Sequence, residues 1–205
     1  DIQTLTDVLA VKRTAAKPTM FEAVLIDGAT PKDDQYYLKV ENYGDTKEWY
    51  INSSVPANFG ADPNTPEEYW EVYAKVFYIR DYSTNPGDGI PTLCVRELVA
   101  DAMSSDRCLV EGIEDMQIEF GIDTNGDNVP NIYTPDPNDM SVAVTARIYL
   151  LVRSIGEFSP GGENASNSKT YQLGQADTAA TKGGDYLRQI FSTTVLVRNA
   201  ILPAS

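Results

Sequence analysis

The sequence predicts a mainly β or α+β fold: an antiparallel, β-rich globular domain with one or two short helices. Apolar residues alternate with polar ones in several segments, and aromatic and β-branched residues are frequent there. Clusters of Gly, Pro, Asn and Asp separate these segments, as turns do. The chain has 205 residues, of which 42% are hydrophobic. That is enough for one domain with its own core, so we expect residues 1–205 to form a single domain.

The first half of the chain contains four candidate strands. Short apolar runs at 6–11 and 20–26 predict two strands, and residues 36–40 predict a third. Residues 52–68 are rich in Pro and Asn and are typical of a loop. Residues 69–81 alternate with period two, which predicts a longer strand. Its second half is apolar on both faces, which indicates burial on both sides or an interface.

The second half contains the longest alternating patterns. They predict strands at 113–122, 142–153 and 186–199. Residues 83–89 form a turn cluster, and residues 91–103 could be a strand that runs into a short helix. Residues 156–185 are rich in Gly, Ser, Asn and Thr, which predicts a long loop excursion that could be mobile.

The composition argues against two classes of function. Acidic residues outnumber basic ones 30 to 16, and the resulting charge of −14 repels nucleic acids and anionic membrane surfaces. The chain contains no His, so a Ser-His-Asp or Cys-His catalytic arrangement is impossible. No carboxylate pair stands out among the 30 acids as a glycosidase site. We therefore expect neither a nucleic-acid-binding protein nor an enzyme.

An acidic loop between two predicted strands has oxygen-bearing residues at every second position. This is the ligand spacing of the first half of an EF-hand, in which the seventh position contributes a backbone carbonyl to Ca²⁺. The candidate ligands are Asp123, Asn125, Asp127, Val129 (through its carbonyl) and Asn131.

The second half of the loop departs from the EF-hand pattern. The sixth position is Asn128 rather than Gly, although Asn tolerates positive φ, and the twelfth is Thr134 rather than Glu. Strands flank the loop instead of helices, so the pattern is closer to calcium loops of β-rich extracellular domains. Asp136 or Asp139 could supply a further carboxylate, and we expect affinity on the order of millimolar. The alternative is a polar hairpin whose Asn, Asp and Gly residues serve only the turn.

The only two cysteines, Cys94 and Cys108, leave two interpretations open. In an oxidising compartment they could form one disulfide, worth roughly 3 kcal/mol for a loop of about 15 residues. In a reducing compartment they would be two free, buried thiols.

Several segments together resemble one family. The order of GIPTLCVREL (89–98), LVEGIEDMQIEFGIDTNGDNVPNIY (109–133), VTARIYLLVRS (144–154), YQLG (171–174) and YLRQIFSTTVLVRN (186–199) resembles PilW-type minor pilins of bacterial type IV pili. TDVLAVKR (6–13) is similar to an early strand of the same family, whereas residues 14–68 match nothing. Minor pseudopilins of type II secretion are relatives of this family.

The resemblance implies a structural subunit. Such pilins carry an N-terminal hydrophobic helix that holds them in the inner membrane, facing the periplasm, until they join the extracellular pilus. Their globular domains bind other minor or major pilins at the pilus tip, where they initiate polymerisation. The chain opens at Asp1 without that helix, so we expect a processed or truncated chain, or a helix supplied by another chain. Because both cysteines adjoin family segments, the resemblance also favours a Cys94–Cys108 disulfide.

Three alternatives to a type IV minor pilin follow from these observations. The first is a minor pseudopilin of type II secretion. The second is a Ca²⁺-dependent cell-surface adhesin or carbohydrate-binding module, which the acidic loop and the many tyrosines would suit. The third is an enzyme, which the absence of His opposes.

Overall fold

A computed structural model of the chain describes residues 2–21, 24–28, 30–32, 34–41, 46–51, 67–99, 102–158, 169–175 and 180–197. The loop predicted at 52–68 lies outside these ranges up to residue 66, and its last two residues begin a strand instead. Much of the excursion predicted at 156–185 also lies outside these ranges. The described residues form β-strands and two single 3-10 turns, at Ile26–Gly28 and Met140–Val142. The strands pair antiparallel wherever their register is defined, so the mainly β fold class is confirmed.

The strands follow the alternating segments of the sequence closely. In chain order they are β1 (Leu9–Thr14), β2 (Met20–Phe21), β3 (Val24–Leu25), β4 (Tyr36–Glu41), β5 (Thr46–Ile51), β6 (Glu67–Arg80), β7 (Thr92–Val99), β8 (Ala102–Met103), β9 (Arg107–Glu111), β10 (Ile113–Ile122), β11 (Ile132–Thr134), β12 (Ala143–Arg153), β13 (Lys169–Tyr171), β14 (Ala180–Lys182) and β15 (Arg188–Leu196). Strands β5, β9, β11, β13 and β14 were not predicted. Strand β5 pairs with β4, and β9 pairs with β7.

The short helix considered for residues 91–103 does not form, and that prediction is wrong. Strands β7 and β8 pair with each other as a hairpin, with Leu98 opposite Met103. The Ser104 N–H donates to the Glu97 carbonyl (2.8 Å), and the Ser104 hydroxyl accepts from the Glu97 N–H (3.0 Å). These bonds fold the chain back on itself, so the backbone groups that a helix would need are used across the hairpin.

The contacts divide the chain into two compact units, and one of them comprises residues 10–77 and 95–107. Its central strand is β6, in the strand order β3-β2-β6-β4-β5. Strand β4 pairs with β6 on one side and β5 on the other, both antiparallel. The core of this unit contains Met20, Tyr37 and Tyr69, all buried.

The other unit comprises residues 1–9, 78–94 and 108–205. Its main element is an antiparallel sheet in the order β11-β10-β12-β15. One face of β10 packs into a core cluster of Ile79, Ile113, Met116 and Ile118. Near this face the Asp7 carboxylate accepts a hydrogen bond from the Ile118 N–H at 2.7 Å.

The second face of β10 is also buried, although it is polar. Glu119 is only 2% exposed, and its carboxylate accepts hydrogen bonds from the Gln175 N–H and from the Tyr149 hydroxyl. Gly174 has a φ of +60°, and a Cβ at that position would overlap the Glu119 carboxylate. The segment after β13 therefore lies directly over the sheet. Within the predicted excursion, β13 and β14 form a two-stranded hairpin. That residues 1–205 form a single domain stays a prediction.

Candidate functional site

The acidic loop lies where the sequence predicts it, directly after β10, and the short strand β11, which was not predicted, follows it. Two backbone hydrogen bonds fix its ends: the Asn131 N–H donates to the Ile122 carbonyl, and the Asp123 N–H donates to the Val142 carbonyl, both at 2.9 Å. The loop is thereby held to the 3-10 turn that precedes β12 as well as to its own strands. Beyond Asp123, its residues through Val129 are exposed.

Asp123 organises the loop. Its Oδ1 accepts from the N–H groups of Asn125 (3.0 Å) and Gly126 (2.7 Å), and its Oδ2 accepts from the N–H of Asn128 (2.7 Å). Desolvation raises the pKa of the Asp123 carboxyl. Together these backbone hydrogen bonds lower the pKa by more than desolvation raises it, so the net pKa is below its ordinary value. The chain can wind this tightly because Gly126 and Asn128 have φ values of +81° and +63°.

The other candidate ligands also form hydrogen bonds within the loop. The Asn131 side-chain oxygen accepts from the N–H and the hydroxyl of Thr124, at 2.8 and 2.9 Å. Asp127 Oδ1 accepts from the Val129 N–H at 2.8 Å, and its Oδ2 from the Asn125 amide at 3.2 Å. Hydrogen bonds therefore link Asp123, Asn125, Asp127 and Val129 in series, whereas Asn131 bonds Thr124. This is the arrangement of successive Asx turns.

Oxygen atoms that accept turn hydrogen bonds retain further lone pairs, so the donor set has the hard-cation chemistry that the sequence predicts. Only Asp123 and Asp127 among the five residues carry charge. Among the described residues, no group of three or more His, Cys, Asp or Glu side chains is arranged to hold a metal ion. Asp139, considered as an additional ligand, instead caps the 3-10 turn by accepting from the Ser141 N–H at 2.8 Å.

A buried ion cluster at the other end of the same sheet was not predicted. Glu114 on β10 accepts two hydrogen bonds from Arg188 on β15, from Nε at 2.6 Å and from Nη2 at 3.0 Å. Arg153 on β12 lies 3.7 Å from the same carboxylate and stacks over the Tyr186 ring at 3.9 Å. The hydrogen bonds to Glu114 raise the pKa of Arg188. Desolvation lowers that pKa by a smaller amount, so the net pKa is above its ordinary value.

The register explains this cluster. Arg153 and Arg188 lie directly opposite each other on β12 and β15, and like charges in that position repel. The pairing of β10 with β12 is irregular between Ile113 and Asp115, as at a β-bulge. Glu114 is the extra residue at this irregularity, and its carboxylate contacts both guanidinium groups. One buried anion thus compensates two buried cations.

The structure contains a disulfide between Cys94 on β7 and Cys108 on β9, two paired strands. Cys94 is fully buried, whereas Cys108 lies in an exposed strand. The bond joins the two ends of the segment that holds the β7–β8 hairpin. Because disulfides form and persist outside the reducing cytosol, this bond is typical of a protein of the cell envelope or exterior.

These observations define a class: a β-rich, disulfide-bonded protein with a buried ion cluster in its four-stranded sheet. Residues 76–199, well over half of the chain, match the family model of the type IV pilus-assembly protein W, PilW. The chain belongs to the PilW family, which confirms the predicted resemblance. The match does not include residues 6–13, so the likeness of the early strand stays a prediction. No curated protein and no solved structure matches the chain.

Family membership gives the general function. The chain takes part in type IV pilus assembly and is associated with the cell envelope. Its family is one of assembly proteins rather than enzymes. In the part of the chain that the structure describes, no helix has both the length and the hydropathy to cross a membrane.

Proposed function

We propose that this chain is a structural, non-catalytic minor pilin that joins other pilins at the pilus tip and initiates assembly. The observation that carries the proposal is the PilW match over residues 76–199. This region includes β7 to β15, the acidic loop and the buried ion cluster. The absence of His from the sequence is consistent with a role that involves no catalysis. We further propose that the N-terminal hydrophobic helix implied by the family holds the subunit in the inner membrane, facing the periplasm, before it joins the extracellular pilus.

Loss of the subunit should sharply reduce the number of surface pili. Initiation is needed once for each filament, so we expect deletion of the gene to lower the count of pili per cell rather than their length. Electron microscopy of the deletion strain, with the full-length gene restored as the control, measures both quantities. Normal numbers of pili in the deletion strain would contradict the proposal.

The same strains separate the proposed function from its alternatives. A pseudopilin of type II secretion would leave the pili intact and abolish export of secreted enzymes, which culture supernatants reveal. An adhesin would leave the number of pili unchanged and lower attachment, and the purified chain would bind a glycan array. The chain of a minor pilin should instead bind purified pilins of the same organism.

We propose in addition that the acidic loop takes a weakly bound Ca²⁺ that rigidifies it. The spacing of its oxygen ligands and the ionised carboxylates of Asp123 and Asp127 support this proposal. Chelation of Ca²⁺ by EDTA should then lower the melting temperature of the chain in a thermal scan. Re-addition of Ca²⁺ in the millimolar range should restore it.

The informative variant is Asp127→Asn rather than a change at Asp123. The asparagine side chain keeps an oxygen for the Val129 N–H but removes a charge, whereas loss of Asp123 would disrupt three turn hydrogen bonds with or without a metal. We expect Asp127→Asn to abolish the sensitivity to EDTA while the loop stays folded. An identical melting temperature of the wild-type chain in EDTA and in Ca²⁺ would assign the loop to turn chemistry alone.

A further inference from the structure

Strand β15 forms one edge of the four-stranded sheet. On one side it pairs with β12 over nine consecutive residue pairs, from Arg153–Arg188 to Thr145–Leu196, without irregularity. On its other side, no strand of the described part of the chain pairs with it. Within the described residues, the edge is therefore long, regular and unpaired.

The backbone groups of this edge can be assigned. The Val197 N–H donates to the Val144 carbonyl at 2.9 Å, and in an antiparallel pair hydrogen-bonded residues alternate. The N–H and C=O groups of Thr193 and Val195 therefore point toward β12. The N–H and C=O groups of the alternate residues Ile190, Ser192, Thr194 and Leu196 point outward, away from β12. A row of donors and acceptors with this period matches the backbone of another extended chain.

The two edges of the sheet differ in how they are protected. Strand β11, the opposite edge, has three residues and is followed by Pro135 and Pro137, which limit pairing. Residues 189–197, in contrast, contain no charged residue, no Pro and no Gly. Natural edge strands of this length normally carry such protection, so its absence from β15 indicates an edge that is used for pairing.

The side chains of β15 favour an added strand as well. Phe191, Val195 and Leu196 are 52%, 45% and 66% exposed. Phe191 lies opposite Leu150 of β12, which packs against the core cluster and is only partly buried. A strand added beside β15 would place every second side chain next to Phe191 and Val195, extending that apolar face. The occupant should therefore carry apolar residues at alternate positions.

We propose that β15 accepts an extended, alternately apolar segment of another pilus subunit by antiparallel or parallel strand addition. This inference rests on the proposed function, since it supposes that the chain binds other pilins. The region matched by the family model ends just beyond β15, so the edge belongs to the part shared with pilus-assembly proteins. A second copy is a poor occupant because each chain carries a charge of −14 and two copies repel each other.

The test uses the 205-residue chain and the other purified pilins of the same pilus as probes. Thr194→Pro removes one outward N–H and leaves the ladder to β12 intact, as Pro on the solvent side of an edge strand does. We expect it to weaken capture of the pilin that binds the wild-type chain by at least about tenfold, as loss of a strand-addition hydrogen bond would. Ser192→Lys, which adds the charge that edges normally carry, should act in the same direction. Thr193→Ser, whose N–H points toward β12, is the matched control and should bind like the wild type.

Hydrogen exchange gives an independent readout. Binding should slow amide exchange at residues 190, 192, 194 and 196 and leave the inward amides of 193 and 195 as they were. If Thr194→Pro and Ser192→Lys are folded and bind the pilin within about twofold of the wild type, the edge is not used for binding. The inference about β15 then fails, while the proposed function stands. If the wild-type chain binds no pilin and the deletion strain has normal pili, the proposed function fails instead. A stable homodimer in light scattering that Thr194→Pro dissolves would overturn the choice of occupant.

Discussion

Replacement of Glu114 by Gln should destabilise the protein by about 3–5 kcal/mol, the range found when one partner of a buried ion pair is removed. The side chains of Glu114, Arg153 and Arg188 are at most 9% exposed. Gln has no charge, so the variant would leave two guanidinium groups facing each other across β12 and β15 with no anion between them. In a protein of this size the melting temperature should fall on the order of 10 °C.

Urea unfolding of the wild type and of Glu114→Gln measures this effect as a shift of the transition midpoint. Glu157→Gln is the matched control, because Glu157 is exposed and lies in the same unit, and it should change stability by no more than about 0.5 kcal/mol. A loss below about 1 kcal/mol in Glu114→Gln would show that the carboxylate is not needed to neutralise the two arginines.

A double-mutant cycle distinguishes loss of the ion pair from a general packing defect. Arg188→Met alone should also be strongly destabilising, since it removes the two hydrogen bonds to Glu114. Combined with Glu114→Leu, it should cost clearly less than the sum of the two single changes, because the Arg188 charge that Glu114→Leu leaves without its anion is then absent, and only Arg153 stays uncompensated. Additive costs would contradict direct coupling between these side chains.

The sequence predicted best what depends on neighbouring residues. The alternating pattern of residues 113–122 identified β10 because successive side chains of a strand point to opposite faces, which is a property of the strand itself. The turn cluster at 83–89 is equally local. Its Asp88 carboxylate accepts from the N–H groups of Ser83, Thr84, Asn85 and Ile90, which hold its pKa at about 2, below its ordinary value. The chemistry of side chains within a few residues was therefore enough to predict both features.

The ion cluster at Glu114 could not be predicted in the same way. Glu114 and Arg188 are 74 positions apart, and their contact depends on the register of three strands and on an irregularity at one position. A charged residue beside the apolar alternation of β10 was the only local sign. Composition suggests a solvated charge there, whereas the structure buries it.

The acidic loop shows a different limit. Its spacing of oxygen-bearing residues located the loop, and the structure links four of the five candidate residues by hydrogen bonds while the fifth, Asn131, bonds Thr124. The same spacing, however, serves successive Asx turns and a calcium site, because both need side-chain oxygens at every second position. A pattern shared by two kinds of chemistry locates a feature without deciding between them, which is why the Asp127→Asn experiment is needed.

Loss of the Cys94–Cys108 disulfide should cost roughly 3 kcal/mol, the chain-entropy value for a closed loop of about 15 residues. The expected comparison is between the oxidised chain, the chain in a thiol reductant, and the double variant Cys94→Ala with Cys108→Ala. Reduction should raise the intact mass by two hydrogens and lower the urea midpoint of the wild type. The double variant should start from a low midpoint that the reductant does not change.

The closed segment keeps contacts of its own, and these predict where the loss will appear. Glu97 pairs with Arg107 at 2.8 Å and with Lys75 at 2.9 Å, and its backbone bonds to Ser104 close the hairpin. Such partly exposed pairs contribute little each, so they cannot replace a covalent link at the base of the segment. Reduction should therefore speed amide exchange throughout residues 95–107 before the sheet of β10, β12 and β15 opens. An unchanged mass on reduction, or an unchanged urea midpoint, would show that the two cysteines do not stabilise this hairpin through a covalent bond.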